Sequence, residues 1–434
     1  MSGGVAVEGG VIVAVSDDRG LPDARETIDA TGKYVLPGVI DPHVHFRSPG
    51  YEYKEDWASG TAAAACGGVT TVFEMPNSDP PTSTVEALQI KQRIAARNAY
   101  VDYALYGLLG QHNLGDLPGL AHHGVIGLKC FMGNNPIGHI DDGVLLDGLG
   151  IAASLGLRVA VHAENAAIIE RKSGRLRAAG RRDPLAHLES RPAICVVDAV
   201  ARAIAFAEAA GAGLHIAHEG CKDALPIIRE AKQRGVAVTA ETCPHYLLLT
   251  AADMDRVGPV LRVNPPVRAA GHAEPLWQGL VSGILDMLAT DHAPHAIVEK
   301  TADDIWDCVS GFGGLETAVP LLLTEVNRGR ITLEQYVTWS SLAPAKIWGL
   351  YPRKGVLDVG SDADLVIVDL EREGTIRSDR FQSKSKITPF EGFATKGQPV
   401  CTIVRGRVVM REGTLEGSPG WGQLVTPNRA RPRT

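Results

Sequence analysis

VIDPHVH, residues 39–45, decides how the rest of the chain is read. A β-strand sends residues i and i+2 to the same face, so His43 and His45 aim two imidazoles at one point from the end of an apolar run. Seven further apolar runs follow, at 69–75, 101–108, 125–131, 158–164, 214–218, 236–241 and 285–291. Most are near-continuously apolar and rich in Val, Ile and Leu, the composition of strands buried on both faces. Helix-like segments separate them. Ser83-Thr84-Val85-Glu86 has capping-box spacing before an amphipathic run to residue 96, and 194–210 and 223–234 also read as helices. Eight strands alternating with helices predict an α/β fold, a (β/α)8 TIM-type barrel over 37–350. An open doubly wound sheet is the alternative that periodicity leaves standing.

Outside the barrel the pattern changes. Two short β runs around Gly9-Gly10 read as a hairpin. More strands lie in 351–413, so residues 1–36 and 351–413 are expected to pair into one small β-sandwich domain built from both chain ends. A helix is expected to open at Thr332-x-x-Gln335. Residues 414–434, rich in Pro, Gly and Arg towards the end, are expected to form a flexible tail.

The 434 residues, 45% hydrophobic and 21% charged, describe a globular chain rather than a disordered one. A net charge of −7 argues against a nucleic-acid or acidic-membrane binder but leaves room for an anionic substrate held by a local Arg or His. Seven scattered cysteines form no CxxC pair, so thiolate zinc and a disulfide framework are not expected, and a reducing, cytoplasmic setting fits. The first residues lack the basic and apolar segments of a secretory signal, and no apolar stretch has transmembrane length.

Further candidate ligands close later strands: His162, His218 and Asp291. Imidazole and carboxylate suit zinc and similar divalent ions, and the C-terminal ends of barrel strands are where active sites assemble. Each residue alone has a structural alternative; four histidines and an aspartate at four strand ends point together to a metal centre. Lys129, inside the apolar run GLKCF (127–131), is costly to bury as a cation. Burial would expose a neutral amine able to take up carbon dioxide as a carbamate. The alternative is a lysine that snorkels outward or pairs with an acid. Glu299-Lys300 reads as a solvated or mobile pair.

DPHVHFRSPG (41–50), GLKCF (127–131), VHAEN (161–165), HIAHEG (215–220), VNPPVR (263–268) and ATDHAPH (289–295) occur in this order. On these motifs the chain resembles the amidohydrolase superfamily, in its cyclic-amide hydrolase branch of dihydroorotases, allantoinases and hydantoinases. The resemblance covers residues 32 to about 413. It implies two divalent ions, zinc foremost, held by His43, His45, His162, His218, Asp291 and a carbon dioxide-derived carbamate on Lys129. It also implies catalysis by Asp291 as the proton carrier, and self-association as a dimer or tetramer.

Within the branch, the resemblance places a dihydroorotase's substrate-carboxylate contacts on Arg47, Asn77 and His295, and a ring contact on Asn264. A guanidinium offers a planar fork of donors to a carboxylate, so the expected substrate is a small anionic cyclic amide, dihydroorotate. The motifs depart from that pattern in places. Ser48 stands where dihydroorotases usually carry Glu, and GLKCF, VHAEN and ETCPHYLLL (241–249) look more like allantoinases or hydantoinases. Those neutral-ring activities are the alternative. A metal-free scaffold for a partner enzyme is a remoter one, since all six ligand positions are filled.

Overall fold

The computed structural model describes residues 3–17, 20–133 and 135–428. It opens on an antiparallel hairpin of β1 (Gly4–Glu8) and β2 (Val11–Ser16). Gly9 and Gly10 turn it at φ 59° and 87°, the positive values that the tight hairpin turn demands. After β3 (Tyr34–Pro37) the barrel begins. Its strands are β4 (Val39–Val44), β5 (Val69–Glu74), β6 (Asp102–Leu108), β7 (Gly127–Phe131), β8 (Arg158–His162), β9 (Gly213–Ile216), β10 (Val238–Thr242) and β11 (Met287–Leu288). Each pairs in parallel with the next, and the order β4 to β11 follows the chain.

Closure comes from just beyond the last strand. Val44 bridges His292 in parallel, and the His45 amide donates to the His292 carbonyl at 2.8 Å. The Asp41 carboxylate accepts from the Thr290 amide (3.2 Å) and hydroxyl (2.5 Å), tying the first strand to the end of the eighth. The fold is therefore a (β/α)8 barrel and not an open sheet. The eighth run, expected over 285–291, keeps ladder geometry only at Met287–Leu288. The expected helix near Ser83 begins one residue later: Thr84 is the cap, accepting from the Ala87 amide at 3.2 Å, and the helix spans Val85–Asn98. Thr332 and Gln335 form both halves of the expected capping box.

The lumen is filled by Ile40, Phe73, Tyr106, Ala160, Met287 and Trp348. Trp348 follows the barrel in sequence. Its indole meets Tyr106 edge-on at 5.2 Å and His215 at 5.3 Å, and it lies against Gly127 at the start of β7. With that end plugged, side chains at the strand ends converge on the other.

β12 (Leu365–Thr375), β13 (Ala394–Val404), β14 (Arg407–Arg411) and β15 (Thr414–Leu415) join β3 in a five-stranded antiparallel sheet made from both chain ends. Period-two alternation gives β12 two apolar faces. Leu365 and Ile367 pack with Ile12 of the hairpin, while Val366 and Val368 join the main core with the barrel. The expectation of a flexible tail from 414 is corrected as far as Asn428. The Val425 amide donates to the Tyr103 carbonyl at 2.8 Å, the Trp421 indole donates to the Val404 carbonyl at 3.0 Å, and Val425 is fully buried. Trp421, Leu424 and Val425 supply the apolar anchors that the Pro/Gly/Arg content concealed. The rest of the expected tail, 429–434, lies outside the described residues. Among the described residues no helix is long and apolar enough to cross a membrane.

One buried ion network joins the barrel to the terminal sheet. Lys354 Nζ lies 2.8 Å from Asp102 and 3.0 Å from Asp362, and also contacts Asp364; Arg405 contacts Asp102. Lys354→Met leaves Asp102 and Asp364 buried beside fewer cations. Removing one partner of a buried pair costs about 3–5 kcal/mol, so a drop of that order is expected in chemical denaturation at neutral pH. A change under about 1 kcal/mol would mean that Arg405 on Asp102 and Arg353 on Asp362 neutralise the cluster without Lys354.

Candidate metal and active site

The six expected ligands come together at the strand ends. His43 and His45 project from β4 and its end, Lys129 from β7, His162 from the last position of β8, and His218 and Asp291 from just past β9 and β11. His43 Nε2 and His45 Nε2 stand 3.4 and 3.2 Å from Asp291 Oδ1, so these three can share one ion. His162 Nδ1 and His218 Nε2 are 3.0 Å apart, and the His218 ring lies 5.1 Å from that of His43. Lys129 is fully buried, and its Nζ has no hydrogen-bond partner. It neither snorkels outward nor pairs with an acid.

The electrostatics of these groups suit metal binding. Burial pushes the His45 imidazole down to about 3, and it pushes His218 well below its ordinary range, with His162 and Lys129 adding to the effect. Burial also lowers the Lys129 amine, against the opposing pull of Glu241 and Asp291. Burial alone would raise Asp291, but His43 and His45 outweigh it and hold the carboxyl below the usual carboxylate range. The set therefore includes the lowered imidazoles of His45 and His218, a lowered amine and an ionised carboxylate.

The partners that aim these rings include residues that sequence reasoning missed. Glu241, on β10, contacts His43 Nδ1 through one oxygen and His215 Nε2 through the other at 3.0 Å. Glu164 accepts from His162 Nε2 at 2.9 Å and is itself gripped by Arg191. Both glutamates are buried. The signal was available in Glu241: an acid inside a buried strand raises the question already asked of Lys129. Arg47, His218 and Asp291 carry φ of 59°, 39° and 49°, three of the five non-glycine residues with positive φ among the described residues. Such backbone costs of order 1–3 kcal/mol per residue, and it clusters where function requires it.

The expected substrate contacts fall into separate hydrogen-bond groups. Arg47 Nη2 lies 3.0 Å from His295 Nε2, and Arg47 Nε donates to the Pro294 carbonyl at 3.3 Å. Asn77 Oδ1 meets His45 Nδ1 at 2.7 Å, so its carbonyl orients a ring of the site. Asn264 Oδ1 accepts from His187 Nε2 at 2.8 Å. Lys300, expected to be solvated or mobile, is fully buried; its Nζ donates to the Arg262 and Val309 carbonyls at 2.8 and 3.1 Å and pins the loop behind His295.

The amidohydrolase family model matches residues 129–409, and a dihydro-orotase-like model matches 32–224. The chain is 38% identical to an L-hydantoinase of Paenarthrobacter aurescens, over 97% of this chain and 94% of that one. It is 39% identical to an allantoinase of Rubrobacter xylanophilus, over 98% and 94%. It is also 39% identical to a dihydroorotase of Methanothermobacter thermautotrophicus, over 95% and 92%. The solved structure of an L-hydantoinase (dihydropyrimidinase) from Arthrobacter aurescens superposes with a TM-score of 0.95 at 38% identity, covering 97% of this chain and 95% of that one. The chain belongs to the amidohydrolase family. Its relatives are hydrolases of cyclic amides, and this amidohydrolase is one as well.

Amidohydrolases of this family generally hold a binuclear metal centre, and the residues here fit one. A buried amine without a partner, a buried unpartnered His218 Nδ1 and a His-His-Asp group around one point are what two cations and a bridging anion would complete. Gly133 gives the site room: a Cβ there would come within 3.1 Å of Glu164 and 3.2 Å of the His162 ring.

Proposed function

We propose that this amidohydrolase interconverts a carboxylate-bearing cyclic amide and its ring-opened ureido acid, namely dihydroorotate and N-carbamoyl-L-aspartate. The observation that carries the reading is Arg47 Nη2, held 3.0 Å from His295 beside the proposed metal ligands. Arg47, Lys54 and Lys300 all act on His295 and, after burial, help to hold its imidazole far below its ordinary range. Glu299 is the acid beside His295, and it is already engaged by Lys54 at 2.8 Å. A substrate carboxylate supplies an acceptor for the Arg47 guanidinium, whose Nε is met, among the described residues, only by the Pro294 carbonyl.

His43, His45 and Asp291 would hold one divalent ion and His162 and His218 the other, with a carbamate on Lys129 between them. Bound there, the ions would acidify a water and polarise the scissile carbonyl. Asp291 then takes the proton of the attacking water on a carboxylate oxygen and delivers it to the ring nitrogen that leaves. Arg47 and His295 fix the carboxylate so that the carbonyl faces the attack. Asn77 holds the His45 ring, and Asn264 is available to the substrate ring.

Hydrolysis of dihydroorotate, allantoin and hydantoin measured side by side tests this reading, with the largest kcat/KM expected for dihydroorotate. A second reading, a neutral-ring hydantoinase or allantoinase, is favoured by the names of two of the relatives and by the 0.95 superposition on an L-hydantoinase. Arg47→Met separates the two. A charge-assisted hydrogen bond contributes about 1.5–3 kcal/mol, so KM for dihydroorotate should rise by roughly 10–100-fold, and far more than KM for hydantoin. Equal losses on both rings would remove Arg47 from carboxylate recognition.

A further inference from the structure

His295 is contacted by more donors than an imidazole can accept. Nδ1 lies 3.3 Å from Lys54 Nζ; Nε2 lies 3.0 Å from Arg47 Nη2 and 3.1 Å from the Ser310 carbonyl oxygen. A neutral imidazole has one N–H and one lone pair. With the proton on Nε2, the ring donates to Ser310 and accepts from Lys54, and only the Arg47 contact lacks a match. With the proton on Nδ1, the ring faces the Lys54 ammonium donor to donor, and the Ser310 carbonyl loses its partner.

We infer that Lys54 is a positioning residue that sets the tautomer of His295. Its ammonium occupies Nδ1 and keeps the proton on Nε2, the nitrogen beside Arg47. Glu299 holds Lys54 in place at 2.8 Å, and is itself held by the Tyr53 hydroxyl at 3.2 Å and the Ala296 amide at 3.0 Å. Tyr53 and Lys54 follow the first barrel strand, and Ala296 and Glu299 follow the eighth, so the tautomer is fixed across the seam where the barrel closes. The consequence for recognition rests on the carboxylate reading above. His295 Nε2–H, shared between the Ser310 carbonyl and the carboxylate, then stands beside Arg47 Nη2 as a second donor, and Arg47 gains the acceptor that the ring denies it.

The test uses the full-length protein labelled with nitrogen-15 histidine, with His295→Gln identifying the His295 signals. Nitrogen-15 shifts report which ring nitrogen carries the proton. Wild-type protein should show Nε2–H, and Lys54→Met should shift the population towards Nδ1–H. Glu299→Gln, which frees Lys54 without removing it, should shift it in the same direction and serves if Lys54→Met does not fold. KM for dihydroorotate should rise about tenfold in Lys54→Met, with kcat falling by less and Lys54→Arg recovering part of the loss. Nδ1–H in the wild type, or Nε2–H undisturbed in both variants, would overturn the inference. If the tautomer shifts as described but the wild type does not act on dihydroorotate, the tautomer inference stands and the substrate reading falls.

Discussion

Asp291→Asn should bind substrate and lose turnover by about 10²–10⁴-fold, the range contributed by a positioned proton carrier. The replacement keeps the shape of the side chain and removes its ability to accept a proton. In the wild type, His43 and His45 hold Asp291 below the usual carboxylate range, so the side chain is in the ionised form that a proton acceptor requires. Asp291 also lies 3.2–3.4 Å from both imidazoles of the His-x-His pair, so the variant's metal content must be measured alongside kcat. Loss of turnover in protein that keeps its metal assigns the proton role. Near-normal turnover would remove Asp291 as the carrier.

Lys129→Met should act in opposite directions on stability and on function. The amine is fully buried with no hydrogen-bond partner, and a buried unsatisfied polar group costs about 1–3 kcal/mol. Methionine fills similar space without a charge, so metal-stripped Lys129→Met is expected to resist denaturant as well as metal-stripped wild type or better. Its affinity for divalent ions should fall by more than about 100-fold, the upper range for residues that merely support metal ligands, and turnover should fall with it. A variant less stable when stripped, yet unchanged in metal affinity and kcat, would make Lys129 a packing residue.

The barrel was legible because parallel strands buried on both faces leave continuous apolar runs, and the candidate ligands stood out because they punctuate the ends of those runs. The eighth strand was legible in place but not in length. Past Leu288 the chain turns to set Asp291 at φ 49°, and a positive φ at a non-glycine residue leaves no mark in the sequence. The pairing of Glu241 with His43 and His215, and of Glu164 with Arg191, was hidden for another reason. These contacts span 198, 26 and 27 positions, and only the folded register brings the groups together. Lys300 was misread because a charge pair in a loop looks solvated until two backbone carbonyls are found around the ammonium. The candidate substrate residues were named as types, but their partners in the fold were not: Asn77 orients His45, and His187 orients Asn264.

On the proposed reading, six side chains hold a pair of cations around a carbamate on Lys129. Diffraction from crystals of zinc-loaded protein, collected on both sides of the zinc absorption edge, addresses it directly. Two anomalous peaks about 3.5–4 Å apart are expected, one against His43, His45 and Asp291 and the other against His162 and His218, with density extending from Lys129 Nζ to both. A single peak remote from Lys129, or an unmodified amine pointing away from the imidazoles, would contradict that reading.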